Sequence, residues 1–401
     1  MFVKFILVKK IKLSLCVLNL KKLYQMAVKI IEVKSKKQLK KFVKFNIDLY
    51  KDCPYHVPGL ISDEIMTLSE KKNPAFEFCE AKCFLAYKDD ILVGRIAGII
   101  NHKANKIWNH NSVRFSFVDF INDNEVSAAL FEAVENWGKS KGMNMMQGPL
   151  GFTDLDHEGL LVLGFEEVGT MATAYSYPYY ADHIEKLGFK KEQDWHEFKI
   201  QIPKEIPEKF QRISDIVSKK YGLKVKKFKK TKEIWPYANK IFELWNEAYK
   251  PLYEYSELSP KQIEYYVKMY IPMLRLDLVT LILKEEDDSL VGVGITLPSL
   301  SKALQKAKGK IFPVGWIHLL KGMYGKSNKV VDLYTVGIAP EYQNKGVNAL
   351  LFTDLIPIFN KYGFVYAESN PELEINTKVQ SQWEAYETEH HKTRRAYIKG
   401  L

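Results

Sequence analysis

Cysteine is scarce: Cys16, Cys53, Cys79 and Cys83 are the four in 401 residues. Four thiols do not frame a chain this long with disulfides, which excludes a stapled secreted scaffold and leaves reduced, partly buried thiols as the expectation. Cys79 and Cys83 stand in a C-x3-C spacing, but no second cysteine or histidine pair follows at a zinc-site distance. The adjacent His390 and His391 also lack partners at metal-ligand spacing, so no metal is expected. Long apolar runs are missing too. The opening "MFVKFILVKKIKLSLCVLNLKKLYQ" is broken by Lys4, Lys9, Lys10, Lys12, Lys21 and Lys22, well short of the roughly 20 apolar residues that span a bilayer. It also lacks the unbroken apolar centre and small-residue cleavage site of a signal peptide. No transmembrane segment is expected, and a cytoplasmic location follows.

What is present describes a globular protein of about two domains. The chain exceeds one ordinary domain, with 46% hydrophobic and 13% aromatic residues. Its formal net charge is +11, with the lysines spread along the chain. That pattern suits a solvated basic surface; nucleic acid, an anionic membrane surface or an acidic cofactor are the alternatives. Residues 1–25 stand apart as an extension. Met26 opens "MAVKIIEV", which reads as a first strand, so Met26 is the expected start and a surface amphipathic segment is the alternative.

The same plan is written twice. Residues 28–33 read as a strand, 36–50 as a helix, and "CFLAYKDDILVGRIAGII" as a hairpin turning at Asp89 and Asp90. A strand over 113–120 then leads to a helix over 125–141 whose Ala129, Leu130, Ala133, Val134 and Trp137 share one face. After a glycine-rich loop comes "EKLGFKKEQDW", a helix ending at a glycine before a strand. The second pass has a strand near 222–228, helices over 232–249 and 260–274, and a hairpin, "LVTLILKEEDDSLVGVGITLP". The boundary is expected near "IPKEIPEKF", residues 202–210, where two prolines separate the halves. This gives domains over 26–203 and 204–401.

The halves differ at one hinge. In the second, "VVDLYTVGI" (330–338) reads as a strand, Pro340 stops it, and Leu350, Leu351, Leu355, Ile358 and Phe359 recur at helical spacing. The loop between carries Lys345 and Gly346 at a helix start, where unpaired N–H groups and the positive dipole end suit an anion. The plain alternative is a turn with a solvated lysine. In the first half, Asp123 and Glu125 occupy the same place; they cap a helix but repel an anion.

"VGIAPEYQNKGVNALLF" resembles the acyl-CoA-binding motif of the Gcn5-related N-acetyltransferase (GNAT) superfamily, in which a strand ends in a Q/R-x-x-G-x-G/A loop. The "EKLGFKKEQDW" phrase resembles the close of the same fold, and "FPVGW" with "APEYQNKGV" looks like a subgroup of large tandem-domain bacterial acetyltransferase-like proteins. The resemblance implies an α/β fold of two tandem GNAT-like domains, each a mixed, mostly antiparallel sheet flanked by helices. It implies that Gln343, Asn344, Lys345, Gly346, Val347 and Asn348 receive the CoA pyrophosphate, with Asn348 replacing the last small residue. Backbone groups of Val336, Gly337 and Ile338 would pair with the pantetheine arm, beside Asn376. The first half would support the fold or bind the acceptor.

Acyl transfer to an amine needs a deprotonated nucleophile, an oxyanion donor and a proton for the leaving thiolate. Glu368 is the candidate base, with Asp332 and Glu374 as further options. Trp383 stands where related enzymes have the acidic Tyr, so Tyr386, Tyr397 or water would serve, and Tyr334 is a further candidate. Arg394 or Arg395 could meet phosphates. The basic insertion over 301–329, with Ile311, Phe312, Trp316, Ile317, Leu319 and Leu320, could line an acyl or acceptor cavity or plug the core. The expected activity is an N-acyltransferase using acetyl-CoA or another acyl-CoA on an unknown amine. The alternatives are a tandem transferase using aminoacyl-tRNA or a long acyl chain, and a non-catalytic binding protein.

Overall fold

Asp89 and Asp90 both take positive φ, 50° and 60°, the conformation a two-residue hairpin turn requires to match strand twist. They fold β2 (Cys79–Lys88) back on β3 (Ile91–Asn101). The computed structural model describes residues 28–401, so Cys16 and the reading of residues 1–25 lie outside the described residues. β1 (Lys29–Glu32) pairs with β2, and β4 (Ser112–Phe120) with β3, all antiparallel; β5 (Met145–Gly148) joins β4 in parallel. The helix Asn124–Ser140 lays Val126, Leu130, Val134 and Trp137 on this sheet. A Cβ on Gly98 would stand 2.8 Å from the Trp137 ring, so the glycine makes room for the indole.

The second half repeats the pattern. β8 (Leu223–Lys226), β9 (Val279–Lys284), β10 (Leu290–Pro298) and β11 (Val330–Ile338) are antiparallel in order, and β12 (Tyr366–Ser369) joins β11 in parallel. The helix Asn348–Tyr362 follows β11 as the spacing of its leucines requires. A helix over Glu208–Tyr221 occupies the stretch next to the proline-marked boundary. Its Phe210, Ser214 and Val217 are buried, which the short apolar spacing between lysines had not made plain.

The halves do not close separately. β7 (Lys190–Gln201), the last strand before the boundary, pairs with β12, while β14 (Thr388–Gly400), at the end of the chain, pairs with β5. β7 and β14 also pair with each other, antiparallel, from Thr388↔Ile200 to Ile398↔Lys190. Each half thus receives its closing strand from the other. The sheet runs β1-β2-β3-β4-β5-β14-β7-β12-β11-β10-β9-β8, with the short β6 (Leu160–Leu163) on β14 and β13 (Glu372–Leu373) on β7.

Candidate functional site

β4 and β11 each lose their parallel neighbour early. The β4–β5 register ends at Arg114↔Gln147, and the β11–β12 register at Leu333↔Ser369. Just beyond, both strands slip against the hairpin on their other edge: β4 near Phe117, which has φ 45°, and β11 at Tyr334. A bulge bends and twists the strand that carries it, so each strand leans from its neighbour and a V opens. Residues 116–119 from one V and 334–336 from the other line a single cavity of about 940 Å³. Its walls are largely apolar and aromatic: Phe242 and Trp245, Tyr266 and Tyr270, and Leu297 and Met323.

One wall is polar. The loop between β5 and β6 brings Asp154, Asp156, His157 and Glu158 to the cavity. Asp156 shapes the loop, since its Oδ2 accepts the N–H groups of Phe152 (2.9 Å) and Thr153 (3.1 Å). Burial drives its carboxyl up to about 6, against those hydrogen bonds. Burial likewise lifts Asp154 to about 7, against the pull of Arg114, and raises Glu158 well above the usual carboxylate range. His157 Nε2 is 3.2 Å from the Met171 carbonyl. A carbonyl only accepts, so Nε2 carries the proton and Nδ1 keeps a lone pair. His157 is open to solvent through the cavity; loss of hydration within the cleft, then the charges of Arg394 and Arg95, lower its pKa, so the ring is neutral near pH 7. Neither hydrophobic periodicity nor the family resemblance singles out these four. Their signal was "DLDHE", four ionisable residues in five within an otherwise apolar loop.

The expected CoA residues gather at the second V. Val336 lines the cavity and its carbonyl accepts the Tyr249 hydroxyl at 2.7 Å, while Gly337 and Ile338 pair with Val293 and Gly292 of β10. Gln343 Nε2 holds the Ile338 carbonyl at 3.1 Å. Asn344 and Gly346 have φ of 59° and 77°. A Cβ on Gly346 would also stand 2.9 Å from Ile213, so the helix Glu208–Tyr221 packs against this loop because it has no side chain there. The Lys345 ammonium lies over the rings of Tyr221 (5.3 Å) and Tyr342 (5.5 Å). Val347 is buried, and Asn348 Nδ2 donates to Gln382 Oε1 at 3.0 Å. Gln382, Asn376 and Trp383 line the cavity, so the loop adjoins its wall without lining it.

The candidate base and acids fall elsewhere. Glu368 does not line the cavity; it is buried against Lys392, with His391 Nε2 at 3.5 Å. A carboxylate tied to a buried lysine is not a free base, whereas the ionisable groups of the His157 loop do face the cavity. Tyr386 stacks on Phe210 (5.2 Å) in the core beneath the helix Asn348–Tyr362, also outside the cavity. Tyr397 is fully buried, 3.3 Å from Glu185. Glu374 binds Lys191 at 2.7 Å, and Asp332 is buried behind the sheet network of Glu368. Arg394 and Arg395 are committed to Glu197 (2.6 Å) and Asp194 (2.8 Å). Tyr334 does line the cavity. In the first half, Asp123 caps its helix through the Glu125 N–H and pairs with Lys88 at 2.7 Å.

Among the described residues no group of three or more His, Cys, Asp or Glu is placed to hold a metal, and no helix is long and apolar enough to cross a membrane.

No family model matches the chain. It is 27% identical over 381 residues to "Protein YghO" of Escherichia coli (strain K12), covering 92% of this chain and 94% of that protein. It is 25% identical over 384 residues to "Bacterial ceramide synthase" of Caulobacter vibrioides (strain NA1000 / CB15N), covering 93% and 97%. Among solved structures, it matches a tandem GNAT protein from the clavulanic acid biosynthesis pathway with a TM-score of 0.54 at 9% identity, covering 93% of this chain and 98% of that one. The chain has the tandem GNAT fold, two mixed sheet-and-helix units in one sheet.

Proposed function

We propose that this chain, with the tandem fold of Gcn5-related N-acetyltransferases, moves a long acyl chain from a CoA thioester to the amine of a long-chain acceptor. The observation that carries this is the shared cavity: both Vs open into one space with mostly apolar walls. The helix after the second V starts uncapped beyond Gly346, where the helix after the first is capped by Asp123, and this supports placing the CoA in the second half. A cavity of about 940 Å³ is at the upper end of small-molecule sites, far more than an acetyl group needs. The ceramide synthase relative supports the same reading, since a ceramide is the fatty amide of a long-chain amino alcohol. The buried thiols of Cys79 and Cys83 fit a cytoplasmic setting.

In this reading residues 343–348 take the pyrophosphate at the N-terminus of the helix Asn348–Tyr362. The pantetheine arm runs along Val336, Gly337 and Ile338 toward Asn376, and the acyl chain lies among Phe242, Leu297 and Met323. The thioester carbonyl meets backbone N–H groups of β11. His157 Nδ1 takes the proton of the acceptor's ammonium; the freed amine then attacks the thioester carbon, and the N–H proton of the adduct returns to Tyr334 once that residue has given its own to the leaving thiolate. As the C–S bond breaks, Tyr334 gives the thiolate its proton; burial keeps that phenol protonated.

Free-thiol release with CoA thioesters of increasing chain length tests this. The rate should rise from acetyl-CoA to palmitoyl-CoA and require a long-chain amino alcohol. Fastest turnover of acetyl-CoA, or release indifferent to the amine, would overturn it.

A further inference from the structure

Between Pro298 of β10 and Asp332 of β11 the chain contains no aspartate or glutamate. It contains seven lysines. Six of them (Lys302, Lys306, Lys308, Lys310, Lys321 and Lys326) are exposed and form no ion pair among the described residues. Lys329 reaches the Gly363 carbonyl. This segment folds as two short helices, Ser301–Ala307 and Gly315–Tyr324, packed on each other.

The turn between them presents Phe312, 77% exposed, and Val314, 55% exposed. Along the second helix Trp316, Leu320 and Tyr324 recur every four residues, so they share one face. That face is open as well, at 44%, 50% and 63%. Its three side chains also border the cavity, whereas Phe312 and Val314 stand outside it. An apolar tip and an apolar helix face, flanked along the chain by exposed lysines without ion pairs, therefore sit beside the wall of the proposed lipid site.

We propose that this helical hairpin docks on an anionic phospholipid bilayer, with Phe312 and Val314 in the acyl boundary and the lysines over the head groups. Two features favour a bilayer over a protein. A protruding phenylalanine with a neighbouring aliphatic tip matches interfacial insertion, and a one-sign set of exposed lysines matches a diffuse anionic surface better than a fixed set of carboxylates. Docking rests on these exposed groups alone. The use made of it, access of long-chain substrates from the membrane to the cavity, rests on the acyl-transfer reading above.

The test is flotation of the full chain with vesicles of phosphatidylcholine containing phosphatidylglycerol, against phosphatidylcholine alone. The wild type should float with the anionic vesicles, about tenfold less with neutral ones, and less as salt rises. F312S/V314S and K308E/K310E should each cut binding about tenfold. Both pairs lie outside the cavity, so melting temperature and turnover of substrates presented in solution should not change. Absence of flotation, or flotation unaltered in both variants, overturns the proposal. So does a wild-type dimer that F312S/V314S dissociates with no change in flotation, because a second copy would then cover the face. Turnover without flotation removes docking and keeps acyl transfer; flotation without turnover does the reverse.

Discussion

Lys392 Nζ lies 3.0 Å from Glu197 Oε2, and solvent reaches neither side chain. The pair joins the two exchanged strands, β14 and β7. Arg394 binds the other oxygen of Glu197 at 2.6 Å, and Lys392 also holds Glu368. Removing one member strands the rest in the interior, so Lys392→Met should cost about 3–5 kcal/mol in urea unfolding. Burial alone would raise the Glu197 pKa, but Arg394 and Lys392 outweigh it and hold it at about 2. Its contribution is present above the ordinary carboxylate pKa and lost as pH falls toward 2. Glu197→Gln should flatten that acid limb.

Asp332 has the opposite sign. Burial, and then Glu368, lift its carboxyl to about 8. The folded state therefore favours its protonated form, and stability should decline from the unfolded pKa near 4 up to about 8 as that proton is lost. Asp332→Asn should remove this decline, leaving stability little changed at pH 4 and higher at pH 9. Urea midpoints across pH measure it.

At the loop proposed to hold the pyrophosphate, Gly346→Glu combines a left-handed φ, a clash with Ile213 and a negative charge at the helix start. Calorimetric titration with CoA should show no binding. Lys345→Glu leaves the backbone alone and should weaken binding about tenfold, roughly 1.4 kcal/mol. If both variants bind CoA like the wild type, the donor lies elsewhere.

Leu319 lines the cavity from the second insertion helix. Leu319→Trp should shorten the usable space, lowering turnover of palmitoyl-CoA about tenfold while sparing shorter donors. A uniform loss across chain lengths would argue against the acyl chain lying there.

Local features were legible in the sequence. The Asp89–Asp90 turn, the strand Val330–Ile338 and the glycine hinge all rest on contacts between near neighbours, which composition and periodicity report. The exchange of β7 and β14 was not, because either closing strand satisfies the same pattern and only distant pairing decides between them. The placement of Glu368 away from the cavity was hidden for a related reason. Alternation shows that a strand side chain is buried, not that Lys392 on another strand meets it. The glycines of the His157 loop make it look like a simple connection, and only its run of ionisable residues sets it apart.

Detection of an N-acyl product by mass spectrometry, from palmitoyl-CoA and a long-chain amino alcohol, tests the central claim most directly. The wild type should form the amide. His157→Gln should lower kcat by roughly 10²–10⁴-fold with little change in CoA binding, and the wild type should hold its rate just below the ordinary histidine pKa because the cleft around His157 lowers its pKa. An active His157→Gln protein, or no amide from the wild type, would contradict the account.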